Sequence, residues 1–370
     1  MANGHEIISL FESFAPPSLA MEGDKIGLMV GNLQRTVKNV LIALDVTEEV
    51  VDEAIRQNIQ LIIAHHPIIF RPLRKIETEK PYGRIIEKLL KHDIAVYAAH
   101  TNLDVARGGV NDMLADALEL KNTQVLVPTH EVKLRKLVVY APVEDAENIR
   151  RVLGDMGAGA IGDYTHCSFS AAGTGRFLPG EGTNPHIGSV GKLEAVAEER
   201  IETIYPENIE KELLEAMLKA HPYEEPAYDI YPLELPGEIY GLGRIGELGE
   251  EMSFAAFIEY VKEKLSVPAV RIIGDEHTTV KKVAVLGGDG DKYWRTAMAK
   301  GADVYVTGDI YYHTAIDARM EGFNIIDPGH HVESIMKKGV AEKLARLCAE
   351  NNLSVQIIPS KVVTEPFSFR

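Results

Sequence analysis

Two stretches of the chain repeat one order of elements, and that repeat limits the folds open to it. Near the start an apolar strand opens at Val37-Lys38-Asn39-Val40. The helix-spaced run TEEVVDEAIRQN follows, and a second strand, Leu61-Ile62-Ile63-Ala64, runs into His65-His66-Pro67. Near the end Val280-Lys281-Lys282-Val283 opens a strand, DKYWRTAMAKGA follows, and DVYV runs into Thr307-Gly308-Asp309. Each half then continues through a further helix and strand, ending in HTNLD in the first and DPGHHVE in the second. Alternating strands and helices predict parallel βαβ units. His66 lies 26 residues after Val40, and Asp309 lies 26 residues after Val283. The spacing predicts a duplicated α/β core with mostly parallel sheets.

The middle of the chain differs. From about Val127 to Pro236 it is richer in glycine and in short strand signals. KLRKLVVYAPV reads as a strand, AENIRRVLGDMGA as a helix, and the stretch through GEGTNPHIGSVGKLE to RIETIYP as two strands. The helix IEKELLEAMLKAH and the strand YDIYPL follow. Strand–helix–strand–strand–helix–strand is the ferredoxin-like order of an α+β domain. Pro128, Pro232 and Pro236 suit its borders. The expectation is a core of residues 1–126 and 246–370, interrupted by a domain of residues 127–245.

The chain has 370 residues, a formal charge of −16 and a pI near 5.3. That balance argues against non-specific binding to nucleic acid or to an anionic membrane. Cys167 and Cys348, the two cysteines, give neither a disulfide framework nor a thiolate metal site. The start, MANGHEIISLFESFAPP, has no basic region followed by an apolar run, so it does not read as a secretory signal. No stretch approaches the ~18 apolar residues of a membrane span. These readings predict a cytoplasmic protein.

Function is signalled where strands end. Three apolar strands end in histidine, aspartate and glutamate: at His65-His66, at His100-Thr101-Asn102-Leu103-Asp104, and at Asp327-Pro328-Gly329-His330-His331-Val332-Glu333. In open α/β sheets ligands bind beyond the carboxyl ends of strands. Imidazole with carboxylate suits zinc, iron or manganese. Neighbouring strand residues point to opposite sides, so His65 and His66 can serve two different ions. Asp104 reads as a ligand, against the plainer reading of a helix-capping aspartate. His100 is either a ligand or a group that orients one or moves a proton. If a helix begins at Gly329, His330 and Glu333 share a face and His331 points away. Asp309 and His313, four apart, are acid/base or orienting groups, and Asp45 in ALDVT is similar or contacts substrate. Arg71, Arg74 and Lys75 read as holding an anionic substrate, against a simple solvated basic face.

Two glycine-rich matches are weaker. Gly241-Leu242-Gly243-Arg244-Ile245-Gly246 fits a dinucleotide fingerprint, but Glu247, Glu250 and Glu251 crowd the phosphate end and no βαβ unit precedes it. It reads as the strand returning from the inserted domain. Gly287-Gly288-Asp289-Gly290 follows a strand and precedes a helix, as an anion loop does, although its aspartates work against a phosphate.

AHHP, HTNLDV, GLGRIGEL, VTGD and DPGHHVE, in this order, resemble the Nif-three-like dinuclear metal proteins, the GTP cyclohydrolase 1 type 2 homologues. The resemblance covers roughly 1–126 and 246–370. GDYTHCSFSAAGTGRF and HPYEEPAYDIYPL are similar to the long bacterial branch, whose middle domain resembles the PII/CutA fold. The resemblance implies two divalent metal ions, zinc first and iron or manganese as alternatives, on His65, His66, Asp104, His330 and Glu333. Many members place the final glutamate four residues after the histidine. Here the spacing is three, which leaves His330 and His331 as alternatives. It also implies a homo-oligomer, a ring-shaped hexamer, and GTP ring opening by name.

Five protein ligands do not fill two metal shells, and open positions mark a catalytic site. The expected function is therefore a dinuclear metal-dependent hydrolase acting through activated water on a small molecule, a nucleotide or another phosphorylated metabolite. The alternative is a metal-binding regulatory protein whose PII-like domain senses a ligand or partner, without turnover.

Overall fold

The computed structural model describes residues 2–368. Walking the chain, strands β1 (Gly27–Val30), β2 (Asn39–Ala43), β3 (Leu61–Ala64), β4 (Ala95–Ala98) and β5 (Lys121–Val132) come first. Then follow β6 (Leu134–Pro142), β7 (Phe169–Phe177), β8 (Glu194–Pro206) and β9 (Tyr228–Pro232). The last are β10 (Glu238–Ser253), β11 (Arg271–Ile273), β12 (Thr279–Asp289), β13 (Val304–Gly308), β14 (Asn324–Asp327) and β15 (Gln356–Pro359). They build three sheets in a mixed α/β protein, ordered β1-β4-β3-β2-β15, β11-β14-β13-β12-β10-β5 and β7-β8-β6-β9.

The chain divides into two compact units, Met1–His130 with Tyr240–Arg370, and Glu131–Ile239. The sequence placed these joins a few residues away, at 126/127 and 245/246. The long strands β5 and β10 carry the chain across both joins, so composition changes before or after the backbone does.

In the first unit β2, β3 and β4 pair in parallel, β15 adds in parallel to β2, and β1 caps β4 antiparallel. The second sheet repeats the order. β12, β13 and β14 pair in parallel and β11 caps β14 antiparallel. It departs at β10, which meets β12 antiparallel. The expected mostly parallel character holds for the first sheet, where three of the four pairings are parallel, whereas the second is antiparallel at both β11 and β10. At β10 the physical reason is connectivity: the strand arrives from the inserted unit rather than through a βαβ crossover.

Strands with both faces covered read as continuous apolar runs, and β2–β4 are such runs. Val40, Ile42, Leu61 and Ile63 face the larger core cluster, which also takes Val283, Val304 and Ile325 of the second sheet. Leu41, Ala43, Ile62 and Ala64 face the helices Glu48–Arg56 and Pro81–Lys91 on the other side. The GLGRIG run lies on β10, and Arg244 in it is buried. Its guanidinium pairs with Asp112 and donates to the carbonyls of Gly241 (3.0 Å) and Gly243 (2.8 Å). Those donors are therefore spent inside the fold.

The second unit has the succession β6–helix–β7–β8–helix–β9, with helices Ala146–Asp155 and Glu210–Ala220. Every pairing in its sheet is antiparallel. Both helices cover one face through Leu137, Val139, Ile201 and Tyr205. Among the described residues, no helix is long and apolar enough to cross a membrane.

Candidate metal centre

The centre is built where β3, β4 and β14 end. The amides of His65 and His66 donate to the carbonyls of Ala43 (3.0 Å) and Leu44 (2.9 Å). Two successive amides bonding toward the same segment mark a bend after β3, so the two rings do not point to opposite sides as strand alternation predicts: their centroids lie 5.0 Å apart and both Nε2 atoms turn toward Glu333. His65 is fully buried. Its Nδ1–H donates to the Ala99 carbonyl at 2.9 Å, which leaves Nε2 bare. His66 donates from Nδ1 to Asp45 at 2.7 Å. His100, after β4, donates from Nδ1 to Asp24 at 2.8 Å. His330, after β14, donates from Nδ1 to Asp309 at 2.6 Å. Each imidazole thus uses Nδ1 on a carbonyl or carboxylate and keeps Nε2 for the interior. That is how metal-binding histidines are held: the outer bond fixes tautomer and ring plane and raises the basicity of the inner nitrogen.

Two carboxylates meet these nitrogens. Asp104 comes from the short helix Thr101–Val105, and Glu333 from the 3-10 turn His330–Ile335. Glu333 Oε2 lies 3.1 Å from His66 Nε2, 3.1 Å from His330 Nε2 and 3.6 Å from His65 Nε2. Asp104 Oδ1 lies 3.5 Å from His65 Nε2. Three sets of donor atoms lie within 4.8 Å of one another: His66, His330 and Glu333; His65, Asp104 and Glu333; and His65, His66 and His100. The first two share Glu333.

The turn explains the three-residue spacing. In a 3-10 helix, residues i and i+3 eclipse, so His330 and Glu333 project together, where an α-helix would allow three or four. His331 is in none of the three sets, and its Nε2 is buried without a partner. Gly288 makes room for the carboxylate. Its φ is +65°, and a Cβ there would lie 2.4 Å from Glu333 Oε1 and 3.3 Å from His330 Nε2. The GGDG run therefore accommodates a carboxylate and is not an anion loop. Asp327 ties the surrounding loops: it accepts from the amides of Ile310 (3.1 Å) and Gly329 (2.9 Å) and pairs with Arg271.

The residues fit a cation. His65 Nε2 and Asp104 Oδ1 are buried with no hydrogen-bond partner, yet they face each other. A buried lone pair without a donor is costly, and a metal ion removes that cost for both. Protonation tells the same story. Burial pushes Asp104 up to about 6, against the pull of His65. Burial also opposes ionisation of Glu333, but His65, His330 and His66 together hold it well below the usual carboxylate range. Asp45 and Glu333 outweigh burial and raise His66 to about 9. Glu333 first, then Asp309, raises His330 to about 10 against burial. A cation entering here displaces those protons.

Some residues singled out in the sequence stand elsewhere. Asp45 holds His66 and accepts from Thr364, so it orients a ring and is not free for substrate. Asp309 sits at φ +58° before the helix Tyr312–Met320, not within it, with its carboxylate on His330. His313 is exposed, edge-on against Tyr312, and belongs to none of the three sets. Arg71 and Arg74 are exposed, and Lys75 pairs with Glu77 at 2.9 Å. Among the described residues, none of the three basic side chains reaches the centre by a hydrogen bond or ion pair. Sequence reasoning missed Asp24, which also accepts from the Thr101 amide at 3.0 Å. It missed Asn111, which donates to the Asp104 carbonyl and accepts from the Gly287 amide, each at 3.0 Å.

The Duf34/NIF3 family model (NGG1p interacting factor 3) matches residues 2–366. The chain is 57% identical over 367 residues to the GTP cyclohydrolase 1 type 2 homolog of Bacillus subtilis (strain 168), covering 99% of this chain and 98% of that one. A solved Bacillus cereus protein related to NIF3 superposes with a TM-score of 0.95 at 58% identity, over 100% of this chain and 99% of that one. A Staphylococcus aureus structure gives 0.78 at 32%, with the same coverage.

Proposed function

The chain belongs to the Duf34/NIF3 family, and from that premise we propose a dinuclear metal-dependent hydrolase that acts on a nucleotide or another phosphorylated metabolite. The observation that carries the reading is the pair of donor sets joined at Glu333. His65 and Asp104 would hold one divalent ion, His66 and His330 the other, and Glu333 would stand between them. Zinc suits this nitrogen and oxygen mix, with iron and manganese as alternatives. Two such ions would lower the pKa of a water from 15.7 toward ~7 and polarise a substrate oxygen.

The chain's own groups do the rest. Asp45 and Asp309 fix the ring planes of His66 and His330. His100, held at Nδ1 by Asp24, keeps a lone pair at Nε2 beside His65 and His66, which would take a proton from the attacking water and then pass it to the leaving group. That assigns proton transfer to His100, in preference to Asp309 or His313. We read Glu131–Ile239 as a PII/CutA-like inserted domain, on the support of its element succession and sheet order. We read the assembly as a homohexamer, which light scattering on the purified protein tests.

The deciding experiment is a screen of GTP, other nucleotides and phosphoesters against metal-loaded wild type and Glu333→Gln, with metal content measured for each. Turnover by wild type that the Gln variant lacks supports the hydrolase. A metal-loaded wild type that turns over none of them favours the regulatory reading.

A further inference from the structure

The inserted unit holds a cavity of about 800 Å³, a volume that takes a small molecule. Its floor is the face of β7 and β8 that no helix covers. Register pairs Ala171 with Arg200, Gly173 with Glu198 and Gly175 with Val196. Ala171, Gly173 and Gly175 raise almost nothing above the sheet. A Cβ on Gly173 would meet nothing nearer than 4.0 Å, whereas one on Gly175 would lie 2.2 Å from the Glu198 carboxylate. Gly175 is therefore what lets that carboxylate lie flat across the floor.

Glu198 lines the cavity, yet it is only 8% exposed. Its carboxylate accepts a hydrogen bond from the Tyr223 hydroxyl at 2.8 Å. One neutral donor leaves most of the roughly four acceptor sites of a carboxylate open, and they open into the cavity. A ligand with N–H donors answers that need. Flat rings stand beside it: Tyr223 lies 5.9 Å from Phe177 and 6.4 Å from His186 between ring centroids. All three line the cavity. Glu224, which also lines the cavity, accepts from the Asn184 amide at 3.1 Å. Two exposed cations also line the cavity beside Glu224 and Glu225: Arg200, which pairs with Glu202 at 3.1 Å, and Arg176, which donates to the Thr174 carbonyl at 3.4 Å.

We propose that this cavity binds a guanine-type nucleotide. Its adjacent N–H donors would meet Glu198, its ring would lie among Phe177, Tyr223 and His186, and its phosphate would reach Arg200 and Arg176. Guanine offers a ring N–H and an exocyclic amine side by side, which suits a carboxylate. Adenine places a lone pair at the same edge and is rejected. A simple amine would satisfy Glu198 but leave the rings without a role. This site stands independently of the metal reading, whose residues all lie in the other unit.

The test is calorimetry on the full chain after metal removal by a chelator, titrated with GMP, AMP, guanosine and spermidine. GMP should bind, AMP about tenfold or more weaker, and guanosine weaker than GMP. Glu198→Gln keeps the size and a partner for Tyr223, and should weaken GMP about tenfold or more. Gly173→Leu fills the floor beside Glu198, where a Cβ meets nothing nearer than 4.0 Å, and should abolish binding while the melting curve stays that of wild type. No binding of GMP, equal binding of AMP or spermidine, or unchanged GMP affinity in Glu198→Gln overturns the proposal. If Glu198→Gln does not fold, retained GMP binding by Gly173→Leu overturns it.

Discussion

His65 in the core and His221 in the inserted unit are both buried histidines, and they are built for opposite purposes. His221 uses both nitrogens: Nε2–H donates to the Tyr140 carbonyl at 2.9 Å, and Nδ1 accepts from the Tyr223 amide at 3.1 Å. Burial pushes its pKa down, so it stays neutral as a structural link. His65 uses one nitrogen and leaves the other bare against two carboxylates. Burial acts on it in the same direction, but Asp104 and Glu333 outweigh it and raise its pKa. Burial alone therefore does not distinguish a ligand from a core histidine. The second nitrogen does: satisfied by the fold, it is structural, and left open toward carboxylates, it can take a cation.

The largest expected effect tests the open side of that comparison. Glu333 belongs to both donor sets, so Glu333→Gln should strip both ions. Elemental analysis after dialysis should fall from about two metals per chain to well below one. The loss of affinity should exceed the ~10–100-fold typical of removing an orienting partner. Two retained metals would mean that the sets are not joined at this residue.

Next come single ligands from the two halves of the core. Asp104→Asn weakens only the set with His65, and His330→Ala only the set with His66. Each should leave about one metal per chain. If either variant loses both ions, the two positions bind as a unit and the separation drawn here is wrong.

The orienting carboxylates should matter less. Asp45→Asn and Asp309→Asn keep a hydrogen-bonding side chain near Nδ1 but remove its charge. Metal affinity measured by competition with a chelator should drop ~10–100-fold with the fold intact. An unchanged affinity would show that ring orientation comes from packing alone.

Much of the centre was legible because strand ends are. An apolar run closed by histidines gives both the element and its chemistry, and HTNLD and DPGHHVE repeat the signal. Asp24 was not legible. It meets His100 across 76 positions of sequence, and nothing in MEGDKIG marks it. Arg71, Arg74 and Lys75 are exposed, which suits the solvated basic face as well as a substrate contact, so their nearness to the histidine pair in sequence does not choose between the two. The choice of His330 over His331 needed the 3-10 turn, since a helix of unknown pitch leaves the facing residue open. The aspartates beside Gly288 already spoke against a phosphate, but the glycine pattern records only a need for positive φ and space, not that Glu333 fills that space. The mixed second sheet was missed because strand direction at β10 is set by the path through the inserted unit, which local periodicity does not register.

The smallest expected effect tests the closed side of the comparison. His221 has a folded pKa below its usual value, near 6.5 for the free side chain. The unfolded chain therefore binds a proton first as pH falls. The stability contributed by neutral His221 is complete above about 6.5 and is lost as pH drops through that value toward the folded pKa. A second proton on the ring would also remove the acceptor for the Tyr223 amide. A single group can change stability by at most about 1.4 kcal/mol per pH unit. Hydrogen exchange of the Tyr223 amide in the full chain, corrected for the intrinsic rate, should lose protection between pH 7.5 and 5.5. His221→Gln removes the titration, so its protection should show a shallower dependence over the same range, with metal content unchanged. If the variant and the wild type lose protection in parallel, His221 is not what acid acts on, and the contrast with His65 fails at its structural end.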